Sequence, residues 1–230
     1  MKKKAVAVVM TAVMALGMVS AVSVQAGIED KTLTVGFDAE YPPYGYMDEN
    51  GEYTGFDLEL AQAVCDLEGW ELEKKPINWD SKDMELNSGS IDCIWNGFTM
   101  NGREDDYTFS EPYVDNSQVI VVADDSGIEK LTDLAGKTVG VQAASAALDL
   151  LQSEEEGGQK ELADTFGALN EFADYNTAFT ELQAGALDAL AIDVGVAKYQ
   201  LNSRGEGFKI LDETLNTEQY AIGFKKGNTE

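Results

Sequence analysis

Acidic side chains dominate the residues that could take part in chemistry, and histidine is absent. The chain of 230 residues has 42 Asp and Glu against 16 Lys and Arg, giving a formal net charge of −26, and it has no His. The lack of His excludes Ser-His and Cys-His nucleophile pairs and His-ligated metals. We expect a protein that is not an enzyme and that holds neither a metal nor a cofactor.

The two cysteines, Cys65 and Cys93, are too few for a four-ligand thiolate metal site. In an exported protein they could pair as a disulfide. Cys65 falls in a helical pattern and Cys93 in a strand pattern, both apolar, which equally favours two buried free thiols. Because sequence alone does not fix the distance between them, both interpretations stay open.

The N-terminus has the three parts of a secretory signal. Lys2 to Lys4 precede the apolar stretch Ala5 to Val19, and small residues follow up to Ala26. This pattern predicts a signal peptide at residues 1–26, cut after Ala26; the alternative is an uncleaved membrane anchor. In either case the rest of the chain lies outside the cytoplasm, in the periplasm or at the cell surface.

Charge excludes some partners of the exported chain. Without the three lysines of the signal, 13 basic residues remain against 42 acidic ones, a net charge of −29. Such a surface repels nucleic acid and anionic membranes, and it favours solubility. It could also attract cationic solutes, although salt screens this attraction beyond about 8 to 10 Å.

Predicted strands alternate with predicted helices along the chain, which is typical of α/β proteins. The strands are Lys31–Phe37, Ile91–Trp95, Gln118–Ala123, Thr138–Val141, Leu187–Ile192 and Tyr220–Phe224, and the helices are Asp57–Glu68, Asp83–Asn87, Ala144–Ser153 and Asn176–Ala184. Asp57 or Thr54 could cap the first helix, and Leu58, Val64 and Leu67 belong to its apolar face.

Two short patterns occur twice. Thr34–Phe37 (TVGF) is echoed by Thr138–Val141 (TVGV), and Glu85–Asp92 is echoed by Glu181–Asp188. The spacing is nearly the same, at 104 and 96 residues. One interpretation is a chance likeness of two α/β units, and the other is a pair of similar lobes. A cleft between two lobes is where small ligands usually bind.

A family resemblance covers nearly the whole exported chain. The run GFDAEYPPYGYMDENGEYTGFDLELAQAVC resembles the first lobe of the periplasmic amino-acid-binding proteins that serve ABC importers, the family 3 solute-binding proteins. IDCIWNGFTMNGRE, FSEPYVDNSQ, KTVGVQAASA, LQAGALDALAID and YAIGFKKGN resemble later family segments in the same order. The resemblance therefore indicates a member of this family.

The resemblance implies an α/β, two-lobed type II periplasmic binding fold. Each lobe would be a mainly parallel sheet flanked by helices, with the ligand in the cleft between lobes. Lobe 1 would span residues 27–116, lobe 2 residues 117–218, and residues 219–230 would return to lobe 1. Two strand-like hinges would lie near Tyr113 to Ser117 and Thr217 to Tyr220.

The resemblance also implies which residues hold an amino acid. Arg103 matches the family arginine that clamps the ligand carboxylate, a role that suits a planar guanidinium. Arg103 is the last residue of the loop Thr99 to Arg103, which is one residue shorter than in most relatives. Asp193 matches the acid that takes the α-ammonium group. The further matches are Asn96, Gly97 and Thr99 at a strand end, and Ser145 and Ala146 at a helix start.

Three residues match the family's pocket for the ligand side chain. Asp38 would suit a cationic or an amide side chain, while Tyr41 and Phe56 would pack on the ligand stem. The alternative for both aromatic residues is that they belong to the hydrophobic core. Trp79 and Trp95 are expected in the core rather than at the ligand.

We therefore expect an extracytoplasmic binding protein that captures a polar amino acid for the permease of an ABC importer, acting as a monomer. The alternatives are a sensor without transport and a dehydratase on the same fold. Relatives continue past the segment that matches Tyr220 to Asn228 with two helices that pack on lobe 1. The chain is thus expected to be shorter than the complete functional protein, and to be unstable, aggregation-prone or completed by another chain. The alternative is a minimal domain whose first lobe closes without those helices.

Overall fold

Two main β-sheets, built in turn along the chain, form the framework of the protein. The structure is a computed structural model that describes residues 31–229. The predicted signal at residues 1–26 and its cleavage site lie outside the described residues. Within residues 31–229, no helix has the length and apolarity needed to cross a membrane.

The first lobe is built around a five-stranded sheet. Its elements are β1 (Thr32–Phe37), β2 (Glu40–Tyr41), β3 (Gly45–Met47), β4 (Tyr53–Thr54), α1 (Phe56–Glu68), β5 (Glu71–Pro76), a 3-10 turn (Trp79–Ser81), α2 (Lys82–Ser88), β6 (Cys93–Ile94), β7 (Tyr107–Phe109) and, from later in the chain, β14 (Gly223–Lys225). The strand order is β5-β1-β6-β14-β7, and β2, β3 and β4 form a separate small sheet.

The second lobe is built around a six-stranded sheet. Its elements are β8 (Val114–Ala123), a 3-10 turn (Leu131–Leu134), β9 (Thr138–Gln142), α3 (Ala146–Gln152), α4 (Lys160–Ala163), β10 (Ala168–Phe172), α5 (Tyr175–Gln183), β11 (Ala189–Asp193), α6 (Val194–Arg204), β12 (Phe208–Ile210) and β13 (Asn216–Tyr220). The order is β10-β9-β11-β8-β12, with β13 paired to β8.

Both sheets are mixed, whereas mainly parallel sheets were expected. The strands β1, β5 and β6 pair in parallel, as do β9, β10 and β11. The strands β8 and β14 instead run antiparallel to all their neighbours. The reason is topological: β8 enters the second lobe and β14 re-enters the first without the helical crossover that a parallel pairing requires.

The two crossing segments between the lobes pair with each other. Strands β8 and β13 run antiparallel, from the pair Gln118 and Asn216 to the pair Val114 and Tyr220. The expected hinges, near Tyr113 to Ser117 and Thr217 to Tyr220, largely coincide with this ribbon. Side chains on the ribbon are thus held between the two lobes.

Helix α1 shows how the apolar pattern packs. Leu58 and Cys65 are buried, and Gly69 ends the helix in the left-handed conformation, with φ of 70°. Leu67, predicted on the buried face, is 85% exposed. Asp57 does not cap the helix; its carboxylate turns inward, away from the free N–H groups of the first turn.

The two cysteines are both buried and both free thiols. Cys65 lies in α1 and Cys93 in β6. They belong to the same apolar cluster of the first lobe, in which a thiol behaves as a small apolar side chain. Of the two interpretations of the sequence, the structure has the buried free thiols.

The repeated sequence patterns make the same contacts in both lobes. In the first, the Asp92 carboxylate accepts a hydrogen bond from the backbone N–H of Thr34 at 2.7 Å. In the second, the Asp188 carboxylate accepts one from the N–H of Thr138 at 2.8 Å. The repeat therefore reflects one structural unit used twice.

In each lobe, a glycine at the same position of the repeat leaves room for a large apolar side chain. A Cβ atom on Gly36 would lie 2.4 Å from Cδ1 of Ile91, and one on Gly140 would lie 2.5 Å from Cδ1 of Leu187. Both distances are far below a normal contact, so any larger residue would displace the packing. The glycines let the first repeated segment of each lobe pack closely against the second, which contains Ile91 in one lobe and Leu187 in the other.

Candidate functional site

Side chains from both lobes meet in a closed cleft. Its small cavity, about 10 Å³, is lined by Tyr41, Trp79, Gly97, Thr99 and Arg103 of the first lobe and by Gln142, Ser145, Ala146 and Asp193 of the second. Such a volume holds at most one water molecule. A larger ligand therefore enters only when the lobes separate.

Hydrogen bonds cross the cleft. The Gln142 amide donates to the Asp38 carboxylate at 2.7 Å. The Tyr220 hydroxyl, on the ribbon between the lobes, donates to Asp193 at 2.6 Å and lies 3.2 Å from the Tyr41 hydroxyl. Gln142 was not predicted from the sequence, although it ends a strand, where α/β sheets place ligand-binding groups.

Asp193 ends β11 and points into the cleft. Its Oδ1 accepts hydrogen bonds from the amides of Asn116 and Gln118, both at 2.7 Å, besides the Tyr220 bond. It is the N-cap residue of α6, but its side chain makes no capping hydrogen bond there. Burial, followed by the charge of Glu218, raises the pKa of Asp193 to about 6.

Glu218, on β13, is a second buried carboxylate that the sequence analysis missed. Its Oε1 accepts hydrogen bonds from the Thr99 hydroxyl at 2.7 Å and from the amides of Asn116 and Gln118 at 2.8 Å. Each amide thus joins Glu218 to Asp193. The only sequence signal was an acid inside a predicted hinge.

The amide and carboxylate network lacks hydrogen-bond donors. The side-chain oxygens of Asn116 and Gln118 are buried without a partner among the described residues. Neither Asp193 nor Glu218 forms an ion pair within residues 31–229. A buried, unpaired negative charge is costly, so this end of the cleft is suited to a cation.

Gly97 and Thr99 present acceptors at the same end. The N–H of Gly97 donates to Asp57 at 2.5 Å, and the Thr99 hydroxyl donates to Glu218. With these protons committed, the Gly97 carbonyl and the Thr99 oxygen can only accept bonds from a ligand. Gly97 has φ of 57°, and a Cβ there would lie 2.9 Å from the Tyr41 ring.

Asn96 was predicted at the ligand, but its side chain turns away from the cavity. A Cβ atom built on Gly45 would lie 2.4 Å from Asn96 Oδ1, which places that oxygen against β3. The amide oxygen is buried and has no partner among the described residues.

Arg103 is the cation of the cavity lining, and its Nη1 donates to the Thr99 carbonyl at 3.4 Å. Its Nη2 donates to Asp149 of α3 at 2.7 Å, across the two lobes. Its guanidinium also stacks over the Phe98 ring, 5.0 Å from the centroid. Arg103 is thus held where its fork can reach a ligand, with an acid of the second lobe in the place a ligand carboxylate would take.

Ser145 and Ala146 lie at the start of α3, beside Arg103. Ser145 is the N-cap, and its Oγ accepts from the backbone N–H of Leu148 at 3.2 Å. Ala146 is the first helical residue and lines the cavity. The structure therefore brings both residues to the cavity.

Asp38 faces a second, larger cavity of about 650 Å³. Glu40, Asp80, Glu85 and Asp174 also line this cavity, which has no Lys or Arg in its lining. Burial raises the pKa of Asp38 to about 6, against hydrogen bonds from Glu40 and Gln142 that lower it. This acidic cavity favours a cationic group.

Tyr41 and Trp79 line the cavity with aromatic rings, whereas Phe56 does not. Trp79 is a buried member of an apolar core cluster, as expected, and its ring also lines the cavity. Phe56, expected in the ligand pocket, is 49% exposed and stacks on Tyr113 with the centroids 6.4 Å apart. Phe56 begins α1, whose buried side faces the sheet, and this leaves its ring outside the cavity.

Comparison with known proteins gives a family match over most of the chain. The family model of bacterial extracellular solute-binding proteins, family 3, matches residues 33–230. The L-cystine-binding protein TcyJ of Escherichia coli (strain K12) is 29% identical over 95% of this chain and 83% of its own length. The arginine-binding extracellular protein ArtP of Bacillus subtilis (strain 168) is 34% identical over 85% of this chain and 75% of its own.

Solved structures show the same fold. An ABC uptake transporter substrate-binding protein from Streptococcus pneumoniae, with bound histidine, gives a TM-score of 0.79 at 35% identity, covering 86% of this chain and 80% of that one. An arginine-bound Gly52Ala mutant of ArgBP from T. maritima gives 0.76 at 32% identity, covering 87% and 90%. These matches confirm the predicted α/β, two-lobed architecture.

Proposed function

Because this chain belongs to the bacterial extracellular solute-binding proteins of family 3, we propose that it captures an amino acid outside the cytoplasm and delivers it to the permease of an ABC importer. The observation that carries the proposal is the opposite charge of the two cleft ends. The buried acids Asp193 and Glu218 form the acidic end and Arg103 forms the basic end, and the two ends meet at Thr99, whose hydroxyl donates to Glu218 and whose carbonyl accepts from Arg103. One chain supplies both walls, so a monomer suffices.

The α-ammonium group lies at the acidic end. It donates to Asp193, the Gly97 carbonyl and the Thr99 oxygen, which matches the three donors of an ammonium to three acceptors. The charge-assisted bond to Asp193 is the strongest of the three. The Tyr41 ring covers the ligand stem.

The carboxylate group lies at Arg103, in place of the Asp149 carboxylate. Two or three charge-assisted bonds contribute about 1.5 to 3 kcal/mol each. Micromolar affinity needs about −8 kcal/mol, so these bonds supply much of the total even after the cost of closing the lobes.

The ligand side chain is cationic. It extends past Asp38 toward the cavity lined by Glu40, Asp80, Glu85 and Asp174. Relatives named as arginine-binding proteins support this choice, whereas those named for cystine show that the family also takes other polar amino acids.

A thermal-shift screen with the twenty common L-amino acids, L-ornithine and L-cystine tests the proposal. A ligand that binds only the folded protein raises the unfolding temperature. We expect L-arginine, L-lysine or L-ornithine to give the largest rise. No shift with any amino acid would contradict the proposal.

The Asp38→Asn variant tests the side-chain end. It should lower affinity for L-arginine about tenfold and leave affinity for a neutral polar amino acid nearly unchanged, because only the cation loses its partner. Equal losses for both ligands would place the side chain elsewhere. Turnover of none of these compounds is expected, since the family and the relatives above are named as binding proteins.

A further inference from the structure

Lys82 is a buried lysine at the cleft whose charge has no partner in the second lobe. Its side chain is 5% exposed at the first position of α2. The Nζ atom donates to the carbonyl oxygen of Ala144, across the cleft, at 3.3 Å. It also lies 5.4 Å from the centroid of the Trp79 ring, which lines the cavity.

A carbonyl oxygen and a ring face do not neutralise a buried ammonium. Among residues 31–229, no carboxylate oxygen lies within ion-pair distance of Lys82 Nζ. Burial, followed by the charge of Arg103, lowers the pKa of Lys82. A buried charge of this kind is costly unless an anion accompanies it.

Of the three acids near Lys82, Asp80 is exposed and the other two are engaged with other partners. Asp149 pairs with Arg103, and Asp83 accepts a hydrogen bond from the Tyr107 hydroxyl. Arg103 and Lys82 both line a cavity of about 730 Å³, which opens beside the smaller one. Between these two cations of the first lobe, Arg103 already has a carboxylate and Lys82 has none.

The backbone opposite Lys82 is in an unusual conformation. Ala144 has φ of 55°, a left-handed value that few residues other than glycine adopt. It lies between β9 and Ser145, directly before the start of α3, and its carbonyl receives the Lys82 bond. Strained backbone of this kind clusters at ligand-binding sites.

We propose that Lys82 is a specificity-determining residue that binds the ligand carboxylate together with Arg103. This inference rests on the proposed function and deepens it. The ligand carboxylate replaces the Ala144 carbonyl as the main partner of the ammonium. Recognition of a free α-carboxylate thus depends on two cations from the same lobe, one of which is shared with Asp149.

A cycle of protein and ligand variants tests the proposal. Calorimetry would measure binding of L-arginine and of L-argininamide, in which a neutral carboxamide replaces the carboxylate. The Lys82→Gln variant keeps a donor for Ala144 but removes the charge, and Lys82→Arg restores the charge. Lys137→Gln, at a partly exposed lysine that pairs with Asp188, is the matched control.

We expect Lys82→Gln to weaken the binding of L-arginine about 10- to 100-fold, which corresponds to the loss of one charge-assisted bond. The affinity for L-argininamide should change less than twofold. Lys82→Arg should recover most of the lost affinity, and Lys137→Gln should leave the affinity for both ligands unchanged. Equal losses for both ligands would overturn the proposal in favour of a structural role. Unchanged binding of L-arginine would leave the carboxylate to Arg103 alone and would also overturn it.

Failure of the proposed function gives a different result. In that case the wild-type protein binds neither L-arginine nor any other amino acid of the screen, and both ideas fall together. A second variant, Lys82→Met, covers the possibility that Gln disturbs the fold, because an apolar chain of similar length removes the burial cost of the charge. Lys82→Met should likewise weaken the binding of L-arginine more than the binding of L-argininamide.

Discussion

The two ends of the cleft differ in whether their charges are already paired within the protein. At the acidic end, Asp193 and Glu218 are only 3% and 4% exposed and share two amide donors. At the basic end, the cations Arg103 and Lys82 are also largely buried, but Arg103 already pairs with Asp149, whose side chain is 60% exposed. Charges deep in the protein interact more strongly than charges near water. We therefore expect the acidic end to contribute most of the binding free energy, and variants at the basic end to change the affinity less.

The largest effect is expected from Asp193→Asn. The ligand ammonium would be buried without its carboxylate, at a cost of about 3 to 5 kcal/mol, or more than 100-fold in the dissociation constant. Calorimetry with L-arginine measures this loss. Asp212→Asn, an exposed acid of the same lobe, is the control and should change nothing. A loss of affinity below tenfold for Asp193→Asn would contradict the larger contribution of the acidic end.

A smaller loss is expected from Arg103→Met. Removing this cation leaves the ligand carboxylate with fewer charge-assisted bonds, at a cost of about 1.5 to 3 kcal/mol. Part of that cost is offset because Asp149, freed from its partner, turns toward water. If the dissociation constant rises more in Arg103→Met than in Asp193→Asn, the order of the two ends is reversed.

Ligand affinity should fall at acidic pH. In the empty protein the pKa of Asp193 is about 6, and protonation removes the charge that binds the ammonium. Below pH 6 the affinity for L-arginine should therefore drop about tenfold per pH unit. Asp38, with a pKa of about 6, steepens the drop for a cationic side chain. A flat profile between pH 8 and 5 would contradict the assignment of Asp193.

Stability of the empty protein should change in the opposite direction. An acid whose pKa is raised from 3.8 on folding binds its proton more tightly in the folded state. Its effect on stability is absent below pH 4, and the free energy of unfolding then falls as pH rises through about 6. Asp57, raised to about 7 by burial, extends the fall to higher pH. Denaturant unfolding at several pH values measures this, and Asp57→Asn should flatten the profile.

The smallest effect is expected from Asp149→Asn. This variant frees Arg103 from its partner, so the ligand carboxylate no longer competes with an acid of the protein. Because the pair is largely exposed on the Asp149 side, the gain in affinity should be small, up to about fivefold. A loss of affinity would mean that Asp149 helps to position Arg103 instead of competing for it.

Sequence patterns predicted the features that depend on local order along the chain. The repeat predicted two similar lobes because a helix end, a glycine and a buried strand follow each other within Glu85–Asp92 and within Glu181–Asp188. The family resemblance pointed to Asp193, which directly follows a buried apolar strand. The family resemblance added Arg103 and the start of α3, which the structure also brings to the cleft.

The sequence did not reveal which side chains turn toward the cleft. Phe56 and Trp79 are both aromatic residues of the first lobe, and only the orientation of their elements places Trp79 at the cavity. Glu218 and Lys82 look like ordinary surface charges in the sequence. Their burial results from the approach of the two lobes, a long-range effect that no local pattern carries.

The central claim is that the cleft binds an amino acid by its two charged ends, with the ammonium end the stronger. The most direct test is calorimetry of the wild-type protein at pH 7.5 with L-arginine, with agmatine, which lacks the carboxylate, and with 5-guanidinovaleric acid, which lacks the α-ammonium. We predict micromolar binding of L-arginine, much weaker binding of agmatine and no detectable binding of 5-guanidinovaleric acid. Binding of 5-guanidinovaleric acid as tight as that of L-arginine would contradict the account.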